Sequence, residues 1–207
     1  MLPLGYMAKR IVTRPEWLKS DRVEEILSLS SCISEDFADW INYWRHNGYW
    51  LFDSPSVIQV LAREHGLDLG DCRWFYYEGH EVAYDDDDRA WLPYSHDSSF
   101  ATSVLPPKDT VLRGYDIVTY SCGNSAECSP LSCNHMAEKI VTNRHCLLDS
   151  FEEAYQLTNE RLFVACEPGP YRIVSVYEIP HPSPTEEGEQ SRAIGTPTNL
   201  LISMTSP

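Results

Sequence analysis

The sequence predicts an α+β fold: one compact domain with a small mixed or antiparallel sheet packed by helices. Several stretches repeat apolar residues at helical spacing behind good caps, and others have strand composition. Their order shows neither strict β-α alternation nor strands alone. The domain is expected over residues 11–180, after an extension at 1–10 and before a flexible tail at 181–207 rich in Pro, Ser, Thr and Glu. Met1 and Met7 are both plausible starts, and no internal repeat is visible.

Taken in order, 20–30 reads as a short helix with Asp21, Glu24 and Glu25 at its positive end. Ser34 can cap a second helix from Glu35 to His46, in which Phe37, Ile41 and Trp44 share a face. "YWLF" at Tyr49–Phe52 suits a buried strand. The clearest helix follows, with Ser54 as N-cap, Pro55 at the first position and Gly66 just past the end. "CRWFYYE" and "HEVAY" suggest a strand pair with Gly79 between them, and "GYDIVTYSC" a further strand. Ser129-Pro130 opens a predicted helix to Lys139, and Ser150 with Glu153 makes a capping box for another. After the "EPGP" turn, Tyr171–Ile179 is rich in β-branched and aromatic residues, as strands are.

A balance of 16 basic against 31 acidic residues gives a net charge of −15. That disfavours nucleic acid, whose phosphates are bound by Lys and Arg, and favours a basic protein partner. No apolar run is long enough to span a membrane. The first residues lack a secretory signal, so a cytoplasmic setting with reduced thiols is expected. Asp85, Asp86, Asp87 and Asp88 lack EF-hand spacing and read as a solvated turn. No phosphate loop, dinucleotide turn, nucleophile elbow or zinc-protease helix is present.

Residues 121–150 hold four of the seven cysteines and two of the seven histidines. Three readings stand side by side. In the first, Cys122, Cys128, Cys133, His135, His145 and Cys146 supply zinc ligands, although their spacing contains no tight ligand pair. In the second, Cys128 is a nucleophile activated at the start of the 129–139 helix. His135 or His145 is then its base, and Asn134 or Asn124 orients the imidazole. In the third, the cysteines are small core hydrophobes, with Cys133 sharing a stripe with Ala137 and Ile140 and "HCLL" facing inward.

At "CSPLSCN", "NRHCLLDSFEEA" and "EPGPYRI" the chain resembles a group of uncharacterised bacterial proteins, over Ile11 to Ile179. The resemblance implies a bacterial setting and no activity, cofactor or catalytic residue. The leading functional expectation is a non-enzymatic, inhibitor- or immunity-like protein binding a macromolecule through Trp74, Tyr76, Tyr77, Asp85–Asp88 and Trp91. A thiol-dependent site around Cys128, His135 and His145 is the alternative, and structural zinc the third.

Overall fold

The computed structural model describes residues 1–30, 32–41, 46–94, 102–120 and 126–183. Seven strands make one antiparallel sheet: β1 (Leu2–Arg10), β2 (Glu35–Asp36), β3 (Arg73–Gly79), β4 (Val82–Asp85), β5 (Ala90–Pro93), β6 (Val111–Thr119) and β7 (Tyr171–Ile179). β7 is the organising strand. β6 pairs along one of its edges, while β3 and then β4 follow one another along the other. β1 and β2 extend the sheet beyond β3, and β5 extends it beyond β4.

Two helices pack on the sheet, α1 (Pro55–His65) and α2 (Phe151–Asn159). Both begin at the serines that the caps predicted: Ser54 accepts from the Val57 amide and Ser150 from the Glu153 amide. Gly66 closes α1 in the left-handed conformation that its lack of a Cβ permits. Mixed α+β architecture is therefore as expected. Among the described residues no helix is long and apolar enough to cross a membrane.

Several local expectations fail. Residues expected as an extension form β1, held between β2 and β3 with Leu4 and Ala8 fully buried. The 20–30 segment is not a helix but an extended, looping strap, tied through the Glu24, Glu25 and Leu27 amides to the Arg144 and His145 carbonyls. The second helix reduces to β2 and a single 3-10 turn at Phe37–Trp40, and 42–45 lie outside the described residues. β3 and β4 do not pair with each other but share the edge of β7. The predicted 129–139 helix is interrupted because His135 adopts φ 60, which leaves only a 3-10 turn at Met136–Glu138. From residue 184 the expected tail lies outside the described residues.

An internal repeat is present after all. Asn47 donates to the Leu4 carbonyl at 2.8 Å and to Asp53 at 3.1 Å, while its own Oδ1 accepts from the Tyr49 and Leu51 amides. Asn143 donates to the Arg113 carbonyl at 2.8 Å and to Asp149 at 3.2 Å, and accepts from the His145 and Leu147 amides. Each loop then bridges back to a strand, Phe52 to Tyr6 and Leu148 to Tyr115, before its serine cap and helix. Each is seated on a glycine: a Cβ on Gly5 (φ +146) would lie 2.7 Å from Leu51 Cβ, and one on Gly114 (φ +144) 2.7 Å from the Leu148 carbonyl.

The strand registers agree with this duplication. Gly5 lies opposite Tyr77 and Gly114 opposite Val176, and Tyr77 in turn faces Val176 across the β3–β7 contact. A pseudo-two-fold axis therefore passes through that pair. It relates β1, the Asn47 loop, α1 and β3 to β6, the Asn143 loop, α2 and β7. The β4–β5 hairpin is inserted between the two units.

On the face of Tyr77 sits a buried polar cluster. Lys9 is fully buried; its ammonium donates to the Ser28 carbonyl at 2.6 Å and the Leu29 carbonyl at 3.2 Å, and pairs with Asp36 at 3.1 Å. Burial pushes the Asp36 carboxyl up, and Lys9 opposes it. Removing one partner of such a pair strands the other charge in the interior. Lys9→Met should therefore cost about 3–5 kcal/mol in urea unfolding, and a loss under about 1 kcal/mol would show the pair to be dispensable.

Candidate thiol site

Four residues beyond Ser28, the strap delivers Cys32 to the outer edge of β6. Asp116 on β6 holds both sides of the meeting. Its carboxylate accepts from the Ser28 hydroxyl at 2.5 Å and the Leu29 amide at 3.0 Å on one side, and from the Ser129 hydroxyl at 2.6 Å on the other. The 127–128 backbone is in turn zipped onto Thr119, which donates its amide to the Cys128 carbonyl at 2.9 Å and accepts from the Glu127 amide at 2.9 Å. Ser30 adds a hydroxyl bond to the Glu127 carbonyl.

The result is a group of three sulfurs, those of Cys32, Cys128 and Cys133, all within 4.8 Å of one another. Cys32 is exposed and the other two are half-buried. The Cys32 and Cys128 sulfurs are 3.2 Å apart, a hydrogen-bonding contact in which either can be the donor. Cys133 is anchored through its amide to the Ser129 carbonyl at 2.8 Å. All six described cysteines are free thiols.

The charges in this trio are unequal. Cys32 falls from the ordinary thiol value to about 5, chiefly because the Cys133 thiol donates to its thiolate, with Ser30 and Cys128 helping against burial. Cys128 is pushed up to about 11 by burial and by its neighbour Cys32. Cys133 rises well above the usual thiol range, first through its bond to Cys32 and then through burial. Of the three, Cys32 is the thiol that gives up its proton first; protonated, it donates to the Glu127 carbonyl at 3.2 Å.

The residues expected from sequence distribute differently. Cys128 lies in a cluster of sulfurs with Cys32 and Cys133, and among the described residues no histidine joins it. Among the described residues no other sulfur, imidazole or carboxylate joins the trio to make a larger ligand group. His135 rests on Trp17, ring centroids 4.6 Å apart, and faces Glu138. His145 bonds Glu25 at 2.8 Å, and burial lowers its pKa. Asn134 has its side-chain oxygen buried without a hydrogen-bond partner. Cys146 is buried within the Asn143 loop, as the core reading expected, whereas Cys133 faces the trio and not the core stripe. Cys122 and Asn124 lie outside the described residues.

The expected binding face does not exist as one surface. Trp74, Tyr76 and Tyr77 are at most 2% exposed and belong to the core. Alternation fails to separate them because both faces of β3 are covered. Trp91 stacks on Tyr155 of α2 at 4.6 Å and donates to Asn159. Asp85 folds the β4–β5 turn by accepting from the Asp87 and Asp88 amides, and burial raises Asp86.

Cys32 was not singled out in the sequence, and no local signal could have found it: 96 residues separate it from Cys128. Comparison of the chain with protein families, with curated proteins and with solved structures finds no match.

The lowered value of Cys32 has a testable sign. Its thiolate form, and the stability the trio gives it, is present at neutral pH and lost as pH falls through about 5. Alkylation by iodoacetamide, followed peptide by peptide, should show Cys32 reacting half-maximally near pH 5 and Cys128 lagging far behind at pH 7. A Cys32 midpoint near 9, the ordinary value, would contradict the assignment.

Proposed function

We propose that the Cys32–Cys128–Cys133 trio is a reversible thiol–disulfide site, with Cys32 as nucleophile, Cys128 as resolving thiol and Cys133 as the positioning donor. The observation that carries this reading is the 3.2 Å approach of an exposed free thiol to a second one, and the lowered pKa of Cys32 agrees with it. Exposure, thiolate character and an adjacent resolving cysteine are the features that make a cysteine oxidant-responsive.

The chemistry balances with a hydroperoxide as oxidant. With hydrogen peroxide, the Cys32 thiolate attacks one peroxide oxygen, an S–O bond forms as O–O breaks, and the departing hydroxide takes the Cys128 proton and leaves as water. Cys128, now a thiolate, attacks the sulfenic sulfur, so S–S forms as S–O breaks and the expelled hydroxide takes a proton from solvent. Two electrons pass from the pair to the peroxide. The sulfurs must close from 3.2 Å to about 2.05 Å, a side-chain movement. A small thiol of the glutathione class returns the pair to its reduced form.

A soft metal ion is the second reading, favoured by three sulfurs within 4.8 Å. Tetrahedral zinc with bonds of about 2.3 Å sets its sulfurs roughly 3.8 Å apart. The 3.2 Å pair would have to spread by about 0.6 Å to hold it, and among the described residues the trio lacks the fourth ligand of a structural zinc site, so the disulfide reading leads.

Peptide mapping after mild peroxide treatment decides between them. A Cys32–Cys128 disulfide is expected, with dimedone trapping a Cys32 sulfenic acid only in Cys128→Ser. Cys133→Ser should slow Cys32 oxidation at pH 6 by about tenfold, because Cys32 then titrates higher. Absence of the disulfide, together with stoichiometric zinc uptake that blocks alkylation of all three cysteines, would replace this reading by the metal one.

A further inference from the structure

The pseudo-two-fold axis relates two arginines, and only one of them has its carboxylate. Arg73 lies opposite Lys9 as Arg172 lies opposite Val118, so the two hold equivalent positions on β3 and β7. Arg73 makes a bidentate contact with Glu178, Nε to Oε1 at 2.8 Å and Nη2 to Oε2 at 2.7 Å, and its Nη1 reaches Glu25 at 2.6 Å. The residue equivalent to Glu178 in the other unit is Gly79, which has no side chain. The Arg172 guanidinium lies against it: a Cβ there would be 2.7 Å from Arg172 Cζ.

Arg172 is nevertheless fully buried. Its Nε donates to the His80 carbonyl at 2.7 Å, but among the described residues Nη1 and Nη2 are buried without a well-aligned hydrogen-bond partner, with the Tyr94 and Tyr120 hydroxyls as their polar neighbours. Aromatic rings surround it, Tyr94 at 4.1 Å, Tyr49 at 5.4 Å and Tyr120 at 6.0 Å from ring centroid to guanidinium carbon. Cation–π contact offsets part of the cost of burying the charge, but it leaves four in-plane N–H groups without acceptors. The Tyr94 hydroxyl is likewise buried and, among the described residues, lacks a well-aligned partner. A guanidinium kept in the interior without a counter-charge costs several kcal/mol, which a bound anion would offset.

The geometry points to Arg172 and Tyr94 as a binding site for the carboxylate of a small organic acid, which meets the Nη1–Nη2 edge, since Nε is held by the His80 carbonyl and the guanidinium itself lies where a side chain at Gly79 would stand. The two terminal nitrogens present a fork that matches a carboxylate, and the Tyr94 hydroxyl adds a third donor. One guanidinium neutralises one charge, and in a chain of net charge −15 a monoanion is the better fit. Tyr94 is the partly exposed member of the cage and marks the side of entry.

Thermal unfolding with acetate, benzoate or inorganic phosphate, at constant ionic strength in chloride, tests this site without involving the cysteines. Acetate or benzoate should raise Tm saturably, by about 5 °C at a hundredfold excess over Kd. Arg172→Met should remove the response while unfolding in chloride at or above the wild-type temperature, since it deletes an uncompensated buried charge. Arg172→Lys keeps the charge without the fork and should bind at least tenfold more weakly. A wild-type chain indifferent to both carboxylates, an Arg172→Met chain that still responds, or a response to phosphate alone would overturn the assignment.

Discussion

The carboxylate of Asp116 is the constraint on which the rest of the molecule depends. Strand alternation on β6 turns it onto the face it shares with Tyr77, where it is completely buried and burial pushes its pKa up. It accepts four hydrogen bonds, from Ser28, Leu29, Ser129 and Ile117, and these come from three separate stretches of chain. A buried carboxylate short of such donors would be costly, so the strap at 28–29 and the loop at 129 are held together by its demand for partners. Lys9 reinforces the arrangement from the opposite side by binding the carbonyls of the same strap residues. The cysteine trio is the chemical consequence.

The duplicated scaffold explains why chemistry sits where it does. Two copies of an asparagine loop, each closed on a strand glycine and followed by a serine-capped helix, build a sheet with β7 at its centre. Features that the copies share are structural. Features in which they differ are where function is sought. The cysteine trio lies in connections that are not repeated, and Arg172 packs on Gly79 where the other unit has Glu178. The four-membered ion network of Glu25, Arg73, Arg113 and Glu178 shows what the complete version looks like. There burial raises the Glu178 carboxyl, but the two guanidiniums outweigh it and hold it low.

Much of the helix and strand content was legible because it is written locally. Ser54-Pro55 and Gly66 bound α1, Ser150 with Glu153 opens α2, and Tyr171–Ile179 matches β7 residue for residue. The repeat was also legible in retrospect: Asn47, Leu51, Asp53 and Ser54 recur at the same spacing as Asn143, Leu147, Asp149 and Ser150. Other segments were misread because tertiary contacts overrode local pattern. The 20–30 strap carries helix-favouring acids, yet Lys9 and Asp116 recruit its backbone groups. Residues 2–10 look like a loose start until β3 supplies their partner. The cysteine cluster was half visible, since Cys128 and Cys133 are close in sequence while Cys32 joins them only through the fold.

The most direct test of this account is the effective concentration of Cys32 for Cys128, measured from the disulfide equilibrium of the folded protein in glutathione buffers. Asp116→Asn removes the charge that gathers the strap and the loop while keeping the side-chain size. If Asp116 is the organising constraint, the variant should keep its sheet by circular dichroism but lose at least tenfold in effective concentration, with Ser28→Ala and Ser129→Ala moving the same way by less. An unchanged equilibrium in a folded Asp116→Asn chain would show that the cysteines are brought together by something else, and the central claim would fall.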